Sequence, residues 1–464
     1  MGDLNGRAAR LASRGFIVGA LVALSAGCAP DLPVGTVPTY AVMQFDPQAT
    51  PPRISEPTVL AINQQTGLID FSASGVNVPA DCATAPAAAP PETAMPVAAC
   101  EFYTFLQSLD GFPTVTPGRT PASEPLDVAS VTVPENLFIY NRTKSSTYAD
   151  VTVSYDETAN YLVFNPNSGW DVDSVYTVAV RGYANGVKAV SGHEVIGTDI
   201  YFFLKSDESL TCGASAPPVD PSCAYYGLVA RPGQTPDEIS ATLLQLEQLR
   251  QAWLLFGVFD DAATKGNMPK DEVAIAWSFP THSASVVELL PPLLVPEVVG
   301  TNQLKLKVKG SIKASTLGPF SLQTPEGSVV LLDLTVLAEN PGVFPPPPEA
   351  VPPFTPTYEN GAIVLTAATD LIVGHQYGIL LLTRITNEAG KPIVPSPLTV
   401  MLKASGELID AAGHSQVPNV DDASAAAAEA GRVQLKPLLD QLLPLVLLTR
   451  ADIAYMYAFT YPNP

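Results

Sequence analysis

Four histidines are the first residues to weigh for chemistry: His193, His282, His375 and His414. None stands in H-x-H or H-E-x-x-H spacing, so a zinc centre has no support. His282 ends the run W-S-F-P-T-H-S, where a serine and an aspartate elsewhere in the chain could complete a nucleophilic triad. It reads first as a surface histidine at a strand end. No G-x-S-x-G occurs, and the nearest look-alike, G-A-S-A-P at Gly213–Pro217, lacks the second glycine and lies between two cysteines. No catalytic residue is therefore assigned. The acid pairs Asp171/Asp173, Asp260/Asp261 and Asp421/Asp422 suit Ca²⁺ where loops converge, but no D-x-D-x-D-G loop is present. Solvated turns and helix caps are the plainer reading, with Asp171 and Asp173 kept as weak Ca²⁺ candidates and no other cofactor or metal expected. Trp277, Tyr455, Tyr457 and Tyr461 lie on strand-like runs, where packing is favoured over a glycan-stacking platform. Asn141-Arg142-Thr143 fits a glycosylation sequon.

The cysteines carry more information. Cys28 closes L-S-A-G-C, preceded by a basic segment with Arg7, Arg10 and Arg14 and an apolar run from Gly15 to Gly27. That run is short for a finished membrane helix and reads as a signal-peptide core over residues 1–27. Ser25, Ala26 and Gly27 before Cys28 resemble a lipobox, which implies acylation of Cys28 and a lipid anchor; position −3 is Ser where Leu is commoner. Ala29 after the cysteine favours the outer membrane or cell surface. Residues 28–39 read as a tether. Cys82, Cys100, Cys212 and Cys223 form an even set in an exported chain and imply two disulfides, with three possible connectivities. Local pairing is expected because each pair brackets a Pro/Ala-rich loop; ligation of a metal by these four lacks C-x-x-C spacing.

These residues are carried by a chain that is written twice. Trp170–Val180 (W-D-V-D-S-V-Y-T-V-A-V), a Y-A-N-G-V turn and Ile200–Leu210 (I-Y-F-F-L-K-S-D-E-S-L) recur as Leu371–Leu381, T-N-E-A-G and Leu398–Leu408 (L-T-V-M-L-K-A-S-G-E-L). Tyr176 falls on Tyr377, Leu204 on Leu402, Lys205 on Lys403 and Leu210 on Leu408. The slip is confined to the turn, so each copy is expected to be a hairpin, with Ile200–Leu204 as a strand. Lys270–Phe279 likewise lines up with Arg450–Phe459, placing Tyr457 on Trp277. Two copies in one order imply tandem related domains.

Around them run short alternating segments with turns, the texture of an antiparallel sandwich. Ala41–Pro47 is expected as a first strand and Thr58–Phe71 as a hairpin turning at Gln65–Gly67. Glu101–Leu109 predicts a short helix carrying Phe102, Phe105, Leu106 and Leu109 on one face. Thr235–Phe259 predicts one amphipathic helix, with Thr235 as N-cap and Pro236 at the first helical position. A second spans about 421–439. Gln303–Lys309 is an alternating strand, and Pro341–Pro356 reads as an extended polyproline loop. The fold class expected is mainly β, in domains at 40–285 and 286–464, each with an amphipathic helix.

Charged residues make up only 15% of the chain, with 46 Pro and 32 Gly, and the net charge is −21. Such a surface repels nucleic acid and anionic headgroups. The membrane is expected as a partner only through the N-terminal lipid.

In order along the chain, F-D-P at Phe45–Pro47, T-G-L-I-D-F at Thr66–Phe71, L-D-G-F-P-T at Leu109–Thr114 and P-L-D-V-A-S-V at Pro125–Val131 appear. L-E-Q-L-R-Q-A-W and V-A-I-A-W-S-F-P-T-H-S at Val273–Ser283 follow. Together they resemble the N-terminal part of bacterial surface lipoprotein lipases of the virulence-factor lipase type, over about residues 40–285. The resemblance implies immunoglobulin-like domains and a surface location; the hydrolase domain that holds the serine in such lipases has no counterpart here. Two functions are thus carried forward. One is a non-enzymatic lipid-anchored protein binding a protein or glycan at the cell surface; the other is an esterase or lipase, or an accessory subunit of a lipase. Carbohydrate binding through aromatics is a third, weaker expectation.

Overall fold

The computed structural model describes residues 40–462, apart from 48, 50, 51, 73, 74, 84–94, 288–295, 321–325, 341, 342, 344, 446 and 447. The expected signal peptide, tether and Cys28 lie outside the described residues. Two compact units emerge. The first takes the described residues up to Val76, Asp110–Ser168 and Ser174–Pro280; the second takes Asn77–Leu109, Gly169–Asp173 and the chain from Thr281. The expected helix is present as α1 (Val97–Gln107), and it belongs to the second unit although its sequence lies within 40–285. The reason is packing: Ala98 and Phe102 are buried with Val400, Met401 and Leu408.

The first unit is mostly β. A parallel pair joins β1 (Tyr40–Met43) to β8 (Glu194–Gly197). One antiparallel sheet runs in the order β2 (Gly118–Pro121), β6 (Tyr161–Pro166), β5 (Val151–Asp156). A second runs β4 (Ser146–Thr147), β3 (Leu137–Asn141), β7 (Val175–Arg181), β9 (Val273–Pro280). Phe164 of β6 meets Trp277 of β9 with ring centroids 6.1 Å apart, so both sheets feed one core. Thr58–Phe71 keeps its turn, with Gly67 at φ 71° donating to Asn63, but the strands shrink to a single bridge, Ile62 to Ile69.

Helices pack against this unit: α2 (Asp199–Leu204), α3 (Tyr226–Val229), α4 (Pro236–Phe256) and α5 (Val258–Lys265). The cap at Thr235 and Pro236 forms as expected, with Glu238 completing a capping box. The single helix expected to Phe259 is instead broken at Gly257, whose φ of 62° suits glycine and ends α4. Arg142 secures the break, its guanidinium donating to the Phe256 carbonyl and pairing with Asp261 at 3.0 Å.

The second unit uses the same plan. Its first sheet runs β10 (Val286–Val287), β12 (Gln303–Lys309), β15 (Ala362–Ala367), β14 (Phe354–Glu359), with β11 (Glu297–Val299) also on β12. Its second runs β13 (Val329–Asp333), β16 (Gln376–Leu382), β17 (Ile453–Thr460). Leu304, Leu331, Ile363, Ile379 and Tyr455, from both sheets, share one buried cluster. Its further helices are α6 (Leu334–Glu339), α7 (Pro397–Leu402) and α8 (Asp422–Leu445). The last runs through Pro437, where the sequence suggested an end near 439. The proline-rich stretch is not all polyproline either: Pro348–Ala350 forms a 3-10 turn and Phe354–Pro356 already belongs to β14.

The duplication is visible in register. In the first unit Asn141 pairs Tyr176, which pairs Phe279; in the second Asp333 pairs Tyr377, which pairs Phe459. Each last strand opens on the same irregularity, after Val180 in one and after Leu381 in the other. One expectation is corrected. Ile200–Leu204 and Leu398–Leu402 are helical, not strands. A short apolar run does not distinguish a buried strand from a helical turn; the flanks decide here, since Ser396 caps the amide of Thr399 and Pro397 takes the first helical position.

Candidate functional site

The most concentrated polar chemistry in both units sits where the short helix gives way to the last strand. Lys205 follows α2 and sends Nζ to the Val273 carbonyl at 2.7 Å, where β9 begins. Lys403 follows α7 and sends Nζ to the Ile453 carbonyl at 2.6 Å, where β17 begins. Burial pushes both ammonium groups down to about 8, because removing charge from water disfavours the protonated form.

Beside each lysine lies a buried ion pair. Glu247 takes the Leu210 amide at 2.8 Å and two Arg250 bonds at 2.8 and 2.7 Å. Glu429 takes the Leu408 amide at 2.9 Å and two Arg432 bonds at 2.8 and 2.6 Å. Burial pushes the Glu247 carboxyl up, yet the bonds from Arg250, Gln251 and Leu210 hold it below its ordinary value. The bonds from Arg432 do the same for Glu429. The copies differ in how the arginines meet the backbone. Arg250 Nη1 reaches the Ser206 carbonyl, whereas Arg450 takes the Lys403 and Ala404 carbonyls and Arg432 Nη1 is buried without a partner among the described residues. These groups grip backbone carbonyls and amides of their own chain, so their chemistry is that of ties rather than of reactants. The lysine match was legible in the sequence; the recurring E-x-x-R was overlooked, although its spacing was a usable signal.

Three of the four histidines face carboxylates: His193 Nδ1 to Glu124 at 2.8 Å, His375 Nδ1 to Asp333 at 2.8 Å, and the exposed His414 to Asp422 at 3.1 Å. The Asp422 bond raises the pKa of His414. Asp333 is buried and also caps α6 through the amides of Thr335 and Val336, both at 3.1 Å. At the matching place in the first unit, Asn141 donates to the Tyr176 hydroxyl at 3.1 Å. His282 overturns its expected surface position. It is 2% exposed, with Nδ1 2.9 Å from the Ala284 carbonyl, and its own carbonyl accepts from the Asp173 amide. The 171–173 turn closes over it, held by the Thr281 hydroxyl on the Asp171 carbonyl at 2.6 Å.

Asp173 sits in that turn at φ 52°, and no group of three or more His, Cys, Asp or Glu suited to a metal occurs among the described residues. Asp261 binds Arg142 and Thr177, and Asp421 accepts the amide and hydroxyl of Ser424 at the start of α8. The disulfides join Cys82 to Cys100 and Cys212 to Cys223, with Gly213–Pro217 in the loop that the second closes. Trp277, Tyr455 and Tyr461 are buried and Tyr457 is half-buried, so these rings pack and form no open platform. Asn141 of the sequon is buried too.

Among the described residues no helix is long and apolar enough to cross a membrane. No protein-family model matches the chain, and no curated protein matches it. Among solved structures, the N-terminal part of the bacterial S-layer protein SbsC is 20% identical over 18% of this chain and 18% of that one, with a TM-score of 0.15. The S-layer protein rSbsC(31-844) is 19% identical over 18% of this chain and 11% of that one, also at 0.15. A likeness of that size assigns neither fold nor role.

Proposed function

We propose that the chain is a lipid-anchored cell-surface protein whose duplicated β units bind or scaffold another macromolecule without catalysing a reaction. One observation carries this reading: the buried ionisable groups at matching positions, Lys205 and Lys403, Glu247 and Glu429, Arg250 and Arg432, are spent on the chain's own backbone and on one another. Support for export comes from the paired cysteines and from L-S-A-G-C at Cys28, with Ala29 favouring the outer membrane or cell surface. We read each unit as an immunoglobulin-like antiparallel sandwich, on the strength of two sheets sharing a core and of the order of motifs along the chain.

Two measurements test the role. Radiolabelled fatty acid should enter the wild-type chain, and Cys28→Ser should abolish the label and release the protein from membranes. Purified protein should leave a chromogenic ester intact, while a tag at Pro464 should recover a stoichiometric partner from intact outer membranes. Ester hydrolysis abolished by a serine-directed inhibitor would overturn the non-catalytic reading.

A further inference from the structure

The edge strands β5 (V-T-V-S-Y-D) and β14 (F-T-P-T-Y-E) hold the same place in the two copies, Thr152 matching Thr355 and Tyr155 matching Tyr358 by register. Along an antiparallel pair, backbone groups point alternately toward and away from the neighbour. In the first unit the Ala122 amide donates to the Asn160 carbonyl, which sets Leu162 and Phe164 toward β2 and Tyr161, Val163 and Asn165 toward β5. Thr152, Ser154 and Asp156 are thereby tied to β6, and the amides of Val153 and Tyr155 point away from the sheet. No hydrogen bond among the described residues takes either amide.

In the second unit the Val308 amide donates to the Gly361 carbonyl and sets the same phase. There the residue matching Val153 is Pro356, which has no N–H to offer. One copy of the edge is thus closed to a further strand. The other stays open over six residues with no proline, lysine or bulge.

The open edge lies in an acidic field. Asp150 precedes it, Asp156 and Glu157 close it, and the Glu124 carbonyl accepts the Tyr155 hydroxyl at 3.0 Å. The field is felt locally: burial and the carboxylates of Asp156, Glu124 and Glu157 push the Tyr155 phenol up to about 12. A second copy laid antiparallel on the edge, Val153 against Val153, would set Asp150 of one chain against Asp156 of the other, a like-charge pairing that opposes self-association.

We propose that β5 is a docking edge for an extended basic segment of another protein, which adds as a strand through Val153 and Tyr155 and places Lys or Arg flanks against Asp150, Asp156 and Glu157. This rests on the binding role above and names the chemistry of the partner. The probe is a fluorescent nonapeptide, K-K-V-T-V-T-V-K-K, titrated into the full chain by anisotropy. Saturable binding is expected, weakening as salt rises and falling by about tenfold or more in Val153→Pro, which copies the blocked edge of the second unit. Should Val153→Pro fail to keep its near-ultraviolet circular dichroism, the exposed double change Asp156→Lys/Glu157→Lys decides, with a loss of about tenfold expected at low salt. No binding to the wild type, equal binding of E-E-V-T-V-T-V-E-E, or unchanged affinity in the folded variants overturns the proposal. So does a wild-type dimer in sedimentation that Val153→Pro abolishes, since the occupant would then be a second copy. The peptide titration reads the edge alone, and the ester assay reads the non-catalytic role alone.

Discussion

Lys205 and Lys403 hold the same post in two copies of one framework, each closing a short helix and gripping the first carbonyl of the last strand, at 2.7 Å on Val273 and 2.6 Å on Ile453. An ammonium placed there ties two elements that are distant in sequence. The cost is desolvation, which is why both amines titrate near 8 rather than at their ordinary 10.5.

That depression sets a pH dependence. Between about pH 8 and 10.5 the unfolded chain holds protons on these lysines that the folded chain has released, so stability rises with pH across the window. The hydroxyls of half-buried Tyr155 and of buried Tyr201 and Tyr455, raised above their ordinary 10, work the other way: above pH 10 the folded chain keeps protons that the unfolded chain has lost. The urea midpoint is therefore expected to climb from pH 8 to about pH 10 and then fall, with a gain on the order of 2 kcal/mol per lysine. Lys205→Met/Lys403→Met should flatten the rise, and a wild-type profile that declines from pH 8 to 10 would refute the assignment.

Breaking a buried ion pair on one side should cost more than removing it whole. Glu429→Ala strands Arg432, whose side chain is 5% exposed and whose Nη1 already lacks a partner, so a loss of about 3 kcal/mol is expected in chemical denaturation. Glu429→Met/Arg432→Leu leaves no stranded charge and should recover part of that loss. Equal losses for the single and double variants would mean that packing, not charge, dominates the site.

The Tyr455 hydroxyl is buried with no hydrogen-bond partner among the described residues. Desolvating it costs free energy that no bond returns. Tyr455→Phe is therefore expected to raise stability by about 1 kcal/mol while near-ultraviolet spectra of the other aromatics persist. A loss of that size would instead reveal a partner, such as an enclosed water.

What the sequence made legible follows from where its signals live. Thr235-Pro236 and the alternating Gln303–Lys309 speak locally, through capping and through a period of two, and both elements form at those residues. Lys205 and Lys403 were found because duplication preserves what the fold needs at a fixed position. Ile200–Leu204 misled because five apolar residues suit a buried helical turn as well as a strand. His282 misled because the turn at Asp171–Asp173, just before β7 begins, closes over it, a contact between segments more than a hundred residues apart. The open edge at Val153 was invisible for a similar reason: which amides face outward depends on the phase of pairing across three strands.

The two disulfides should act on different units. Cys82–Cys100 ties the segment before α1 to α1 itself, whose Ala98 and Phe102 pack with Val400, Met401 and Leu408. Cys212–Cys223 closes a loop beside Leu210, Val219 and Leu243 of the first unit. Closing loops of these lengths contributes about 3 kcal/mol each by the chain-entropy estimate. Cys82→Ala/Cys100→Ala is accordingly expected to speed amide exchange around Leu408 and in α7 while leaving Leu243 and α4 as in the wild type. Cys212→Ala/Cys223→Ala should do the reverse. Faster exchange at Leu243 in the first variant, with Leu408 unchanged, would place residues 77–109 with the first unit and overturn the division drawn from packing.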